Sequence, residues 1–279
     1  MIAVHHATMM ARVPLITLAF IGLLLFGTTA RAADDDVVEM SFEGFGPAGV
    51  HVATTHTMIE ESPASYLIQG DFATAGMGAL FLNLANRSVV KGWQRGDIPH
   101  PQSFESETMR NGVLHHNHVD FPSSGAPNGY FTPPPEQPLT PVAATQLPGT
   151  VDNLTAYLLV ERQIGHGGSC TMRVPVYDGR HRYDLDFSDV GDAVLKPSAG
   201  QKFSGPAHEC RMVRREIGGF YVDKSRDEGA SSGIIWYAPL LPEADLAVPI
   251  RMEMQTEIGD VEIYLSQLKS RGVNLRLMQ

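Results

Sequence analysis

Side chains able to do chemistry gather in four places along the chain. Glu105, Glu107, His116 and His118 flank the dipeptide Asn111-Gly112. A type I′ turn needs φ > 0 at both central residues, and Asn-Gly supplies it. A two-residue loop then sets Arg110 against Val113, Met109 against Leu114, Glu107 against His116 and Glu105 against His118. Carboxylates and neutral imidazoles on one face are good ligands for a divalent metal. Side-by-side ligands on a flat strand pair seldom close a tetrahedral shell. The residues therefore read as a solvated face of Glu–His pairs, with metal binding by the cluster left open.

The other three places are weaker. Asp184, Asp186, Asp189 and Asp192 invite calcium, but Asp189 stands where an EF-hand loop needs Gly and Leu195 where it needs a bidentate Glu. Gly165-His166-Gly167-Gly168-Ser169 resembles an esterase oxyanion loop, yet no G-x-S-x-G elbow follows it. His208-Glu209 lacks the second helical His of a zincin. No Walker or Rossmann fingerprint occurs. These segments read as a solvated strand face, a flexible loop leading into Cys170, and a strand.

The elements that would carry them are mostly strands. Gly and Pro are frequent, at 27 and 19, and charged residues make up only 19% of the chain. Many short apolar runs lie between turn signals. Asp178-Gly179 predicts a second two-residue hairpin, with Tyr177 against Arg180, Val174 against Tyr183, Met172 against Leu185 and Cys170 against Phe187. Its other side would place Arg173 opposite Asp184. Ile250, Met252 and Met254 alternate with polar residues, as do Val261, Ile263 and Leu265, with a turn at Glu257 to Gly259 between them. Further strands are expected at 37–42, 50–59, 65–72, 206–217 and 233–238.

Two stripes have helical spacing instead: Met77, Leu80, Phe81 and Leu84, and Leu154, Tyr157, Leu158 and Glu161 behind an Asp152 cap. Glu161 is the one charged member of its stripe. Residues 121–148, rich in Pro, Gly and Ser, form an extended connection. One continuous sheet is preferred to two domains, because each half alone would leave a long unpaired edge.

The N-terminus reads as a leader. Arg12 precedes an uncharged apolar run, Val13–Gly27, which ends in Ala30-Arg31-Ala32, an A-x-A cleavage pattern. The run is short of the roughly 20 residues that span a bilayer. Removing 32 of 279 residues leaves 247, enough for one large domain. The net charge of −10 becomes −12 without Arg12 and Arg31. That acidity argues against nucleic acid and anionic membranes as partners. Cys170 and Cys210 are the only cysteines. An even count in an exported chain favours one disulfide over two buried thiols. Closing a loop of about 40 residues stabilises by up to roughly 4 kcal/mol.

The second half of the chain carries a resemblance. Thr140-Pro141-Val142 leads into Thr150-Val151-Asp152-Asn153-Leu154, then Cys170, then Val176-Tyr177-Asp178-Gly179-Arg180-His181-Arg182-Tyr183. Phe203-Ser204-Gly205-Pro206, Cys210, Ile217-Gly218-Gly219-Phe220 and Val248-Pro249-Ile250-Arg251 follow in order. This pattern resembles the exported bacterial domain-of-unknown-function family 3108. The resemblance implies a periplasmic or envelope location and a Cys170–Cys210 disulfide. It implies no catalytic residue. The His-rich strand 115–118 departs from the family pattern.

The fold expected is mainly β: one long, curved antiparallel sheet, a half-barrel or β-spiral, with two short helices. Residues 1–32 are the signal peptide and 33–279 one β-rich domain. The function expected is a non-enzymatic, periplasmic or secreted binding or carrier module, with a lipid or an envelope protein segment on the apolar face. Met172, Val174, Val176, Tyr183, Leu185, Ile250, Met252, Met254, Val261, Ile263 and Leu265 would line that face. A structural or interaction protein of the envelope without a pocket is the alternative, and a metal-dependent hydrolase a more distant one. No catalytic residue, metal or cofactor is assigned, and no membrane span after processing. N-terminal sequencing of the exported protein is predicted to begin at Ala33; an intact Met1 outside the cytoplasm would refute the leader.

Overall fold

Alternation of apolar and polar residues produces strands throughout the computed structural model. It describes residues 36–223, 230–241, 245–256, 259–270 and 272–278. The expected leader and most of the turn at 257–259 lie outside them. Residues 35–279 form one compact unit.

The first half is an antiparallel meander. It comprises β1 (Asp36–Phe45), β2 (His51–Glu61), β3 (Ser65–Thr74), β4 (Leu84–Arg95), β5 (Ile98–Arg110), β6 (Val113–Asp120) and β7 (Asn128–Thr132), with the short helix α1 (Gly78–Phe81) between β3 and β4. Helix α2 (Asn153–Gly165) follows the Pro-rich connection. The second half is another meander: β8 (Met172–Tyr177), β9 (Arg182–Leu195), β10 (Gly205–Gly218), β11 (Ser232–Leu241), β12 (Leu246–Thr256), β13 (Gly259–Ser270) and β14 (Val273–Arg276). All fourteen strands among the described residues belong to one sheet, because β1 pairs antiparallel with β13. β14 pairs with β13 off the main path, which leaves β7 and β8 at its two ends. The two ends also touch. The side-chain amide of Asn117 donates to the Asp178 carbonyl at 3.0 Å, and Gly179 packs against the backbone of β6 and β7.

The first hairpin has the expected register. Glu105 faces His118, Glu107 faces His116 and Arg110 faces Val113, with φ of 49° at Asn111 and 86° at Gly112. The second hairpin does not. Tyr177 pairs with Arg182, Val174 with Leu185 and Arg173 with Asp186, so the loop is four residues rather than two. The Asp178 carboxylate accepts the backbone N–H groups of Arg180 and His181, at 2.9 and 2.6 Å, and braces a wider turn. A shift of two residues keeps every side chain on its predicted face. Val174, Val176, Leu185, Val261 and Leu265 are buried as expected. The stripe Met77–Leu84 is no amphipathic helix. α1 is four residues long, Met77 and Leu80 are exposed, and Leu84 begins β4.

Helix α2 is the centre of the packing. It contacts β3 and β5 of the first meander and β8, β11 and β12 of the second. Leu158 lies in one core with Val38, Ile59, Ile68, Val90 and Phe104. Ala156 and Val160 lie in a second with Val174, Val176, Leu185, Met212 and Ile235. A helix packed on both sides buries its polar residues too: Asp152, Thr155, Glu161 and Arg162 are all buried. Such groups are costly unless partnered. Arg162 donates to the Asp97 carbonyl at 2.7 Å, to the Gln94 side chain at 2.6 Å and to Glu61 in an ion pair. Arg162→Met should lower the unfolding free energy by about 3 kcal/mol, since it strips a cation from an interior ion pair. Removing Glu61 as well, in the double variant with Glu61→Met, should restore part of the loss. Urea melts of the four proteins measure both effects, and additive losses would disprove the coupling.

Candidate ligand-binding site

The site begins at the N-terminus of α2. Asp152 caps the helix, accepting the Thr155 N–H at 2.9 Å and its hydroxyl at 2.6 Å. Thr155 Oγ1 also meets the Tyr66 hydroxyl at 2.8 Å. Burial raises the Asp152 carboxyl to about 6, against the hydrogen bonds from Thr155, which lower it. Tyr66 itself lies under Gly92, where a Cβ would come within 2.4 Å of the tyrosine ring. This chain of contacts fixes the height of α2 on the sheet and so aims the next turns.

Those turns face a cavity of about 240 Å³ between helix and sheet. Leu154, Tyr157, Leu158 and Glu161, all four residues of the predicted stripe, line it from the helix. Met40, Phe42, Ile59 and Ile68 line it from the first meander, and Ile235, Tyr237, Met252 and Met254 from the second. The wall is apolar but for a few groups. Glu161 makes no hydrogen bond within the described structure, and burial, with the nearby Glu61 carboxylate adding to it, raises its carboxyl to about 8. The buried Tyr237 hydroxyl has no hydrogen-bond partner among the described residues, and burial raises it well above its usual range. A neutral carboxylic acid and a phenol therefore meet an apolar hollow with hydrogen-bonding capacity to spare. Tyr237 also lines an outer recess of about 580 Å³ beside the C-terminal end of α2.

The other sequence-singled residues are used otherwise. His118 sits between Glu105 and Asp120 at 3.5 and 3.2 Å and stacks on Tyr130. The Glu105, Glu107, His116 and His118 side chains do not converge on one point; among the described residues, Cys170, Asp189, His208 and Cys210 are the group that does. Asp184 and Asp186 pair with Arg182, Arg173 and Arg215. Asp189 and Asp192 both bind His208. Gly165 to Gly168 end α2, with Gly167 at φ 75° and the Gly168 N–H on the Gln163 carbonyl. Cys170 and Cys210 form a disulfide with Cα atoms 6.1 Å apart.

The family described as protein of unknown function, DUF3108, matches residues 38–266. The chain belongs to this family. Its matched span runs from β1 to β13 and contains every cavity residue named above. No curated protein matches the chain. It is similar to a solved β-barrel-like protein of domain of unknown function DUF1849 from Brucella abortus, at 8% identity and a TM-score of 0.48 over 84% of this chain and 98% of that one. No helix among the described residues is long and apolar enough to cross a membrane.

Glu161 gives the site a pH signature. Its ordinary carboxyl value of 4.5 is raised to about 8 in the fold, so the folded chain holds one more proton than the unfolded chain between those values. Stability from this group is complete below pH 4.5 and is lost as pH rises toward 8. Glu161→Gln should therefore raise the melting temperature at pH 8 and leave it nearly unchanged at pH 4.5. A pH-independent difference in calorimetry would contradict the assignment.

Proposed function

We propose that this protein is an exported binding or carrier module for a compact apolar molecule with one neutral hydrogen-bonding end. The observation carrying the proposal is an apolar, methionine-lined hollow whose wall holds the Glu161 carboxyl and the Tyr237 hydroxyl, the latter buried with no hydrogen-bond partner among the described residues. Buried polar groups are ordinarily hydrogen-bonded, and exceptions call for a reason. A ligand head between Glu161 and Tyr237 supplies one. An apolar cavity of about 150 Å³ already admits benzene, so about 240 Å³ suits a medium chain or a small ring system rather than a whole phospholipid. Met40, Met252 and Met254 give the wall a soft, adaptable surface.

In this reading the sheet is a half-barrel curled around α2, which the contacts between its two ends support. The leader at 1–32 and the cysteine pair support a periplasmic or secreted location. The interaction-protein alternative is favoured by nothing comparable inside the fold.

The test is competition by 1-decanol against a neutral naphthalene dye bound to the mature chain. Native protein should bind one equivalent, saturably. Met252→Trp, which fills the hollow, should abolish binding with little change in melting temperature. Glu161→Leu should weaken decanol about tenfold, the loss of about one hydrogen bond. No saturable binding by folded native protein would leave the interaction reading in its place.

A further inference from the structure

The disulfide does not stand alone. Cys170 lies just before β8, Asp189 on β9, and His208 and Cys210 two residues apart on β10, where Cys210 pairs directly with Asp189 across a bulge. One ligand atom from each of the four lies within 4.8 Å of every other. Asp189 Oδ1 accepts from the Cys170 backbone N–H at 2.8 Å and lies 2.9 Å from Cys170 Sγ. The same oxygen is 2.8 Å from His208 Nε2. The other ring nitrogen, Nδ1, is 2.9 Å from Asp192 Oδ1.

We infer that the dithiol form of this chain binds one Zn²⁺ through Cys170, Cys210, His208 and Asp189, and that disulfide and metal occupy the site in turn. Two thiolates, one imidazole and one carboxylate make a four-ligand set of the kind tetrahedral zinc takes. The histidine is already oriented for the task. Asp192 holds Nδ1, which fixes the ring and directs Nε2 inward, the carboxylate–histidine arrangement found behind zinc ligands. The cysteines are buried while Asp189 and His208 are partly exposed, so a metal has an entry side and a dry floor. The backbone positions suit both states, since the two Cα atoms are 6.1 Å apart and only the sulfurs need to separate.

The two states interconvert with a simple balance. A dithiol reductant delivers two electrons and two protons to the disulfide, leaving as its own disulfide and producing two protein thiols. Zn²⁺ then displaces both thiol protons to solvent. In reverse, a small disulfide oxidant takes two electrons from the bound thiolates, is released as two thiols after taking up two protons, and Zn²⁺ departs as the protein disulfide forms. The site would hold β8, β9 and β10 together in a chain whose cysteines are not yet joined.

The test uses the mature chain, reduced with a phosphine and desalted without oxygen, then titrated with Co²⁺. One equivalent should give a thiolate-to-cobalt charge-transfer band and the visible bands of a tetrahedral ion, both lost on adding one equivalent of Zn²⁺. The oxidised chain should give neither. His208→Ala and Asp189→Asn, which keep both cysteines, should each weaken binding at least tenfold and change the visible bands. Asp192→Asn should weaken it about 10- to 100-fold with the bands unchanged. A folded reduced chain without the charge-transfer band would overturn the inference, as would His208→Ala and Asp189→Asn proteins that bind as the native chain does. If reduction alone removes the near-ultraviolet circular dichroism, metal should restore it together with the tetrahedral spectrum, and failure to restore it would equally overturn the inference.

Discussion

Everything in this fold depends on placing one polar-flanked helix among strands that belong to both halves of the chain. α2 enters on a buried aspartate and ends near a buried arginine, and neither can reach water freely. Each must be met by the sheet: Asp152 through Thr155 and Tyr66 on β3, Arg162 through Glu61 on β2 and Gln94 on β4. These polar contacts fix where the helix lies, whereas Leu158, Ala156 and Val160 supply the apolar packing on its two sides. Apolar contacts alone are tolerant of sliding; hydrogen bonds to a buried carboxylate and guanidinium are not. The hollow beside Glu161 follows from that placement, because the helix is held by its ends.

Strand positions were legible because each strand covers a core on one face, and period-two alternation records that directly. β1, β2, β3, β10 and β11 fall within a few residues of the expected spans. β4 was not legible: Leu84 ended a helical spacing, and Val89-Val90 is flanked by polar and glycine residues that hide its period. The Asn111-Gly112 turn could be read from its dipeptide alone. Asp178-Gly179 could not, because the Asp178 side chain supports a longer loop and the Arg180 guanidinium lies over the Phe131 and Tyr221 rings. Local turn chemistry decides register only where no side chain or distant ring competes.

The site was legible in part. Asp152 as a cap and Leu154, Tyr157, Leu158 and Glu161 as a stripe came from spacing, and all four stripe residues do share the cavity. The charge in that stripe looked like a defect in an apolar face and is instead its most distinctive group. Tyr237 carried no signal, being one of two adjacent aromatic residues in an apolar strand. The cluster of Cys170, Asp189, His208 and Cys210 was also unreadable, since its members come from the approach to β8, from β9 and from β10, and a bulge between Glu209 and Cys210 sets their register. The Glu–His hairpin had the reverse fate: its register was right, yet its side chains pair locally with neighbours.

The pairing of β1 with β13 has a consequence for how the chain reaches this state. Ser41 and Ser266 are joined by a hydrogen bond across 225 residues, and the sheet becomes continuous only there. A chain made from its N-terminus onward therefore presents β1 as an open edge until nearly all of it has appeared. Long-range pairings of this kind slow folding and lengthen the time for which edges can recruit other chains. The meander on either side can form from neighbouring strands alone. The β1–β13 seam is thus among the last pairings the chain can make, and an agent that protects the nascent chain has β1 as a strand to cover.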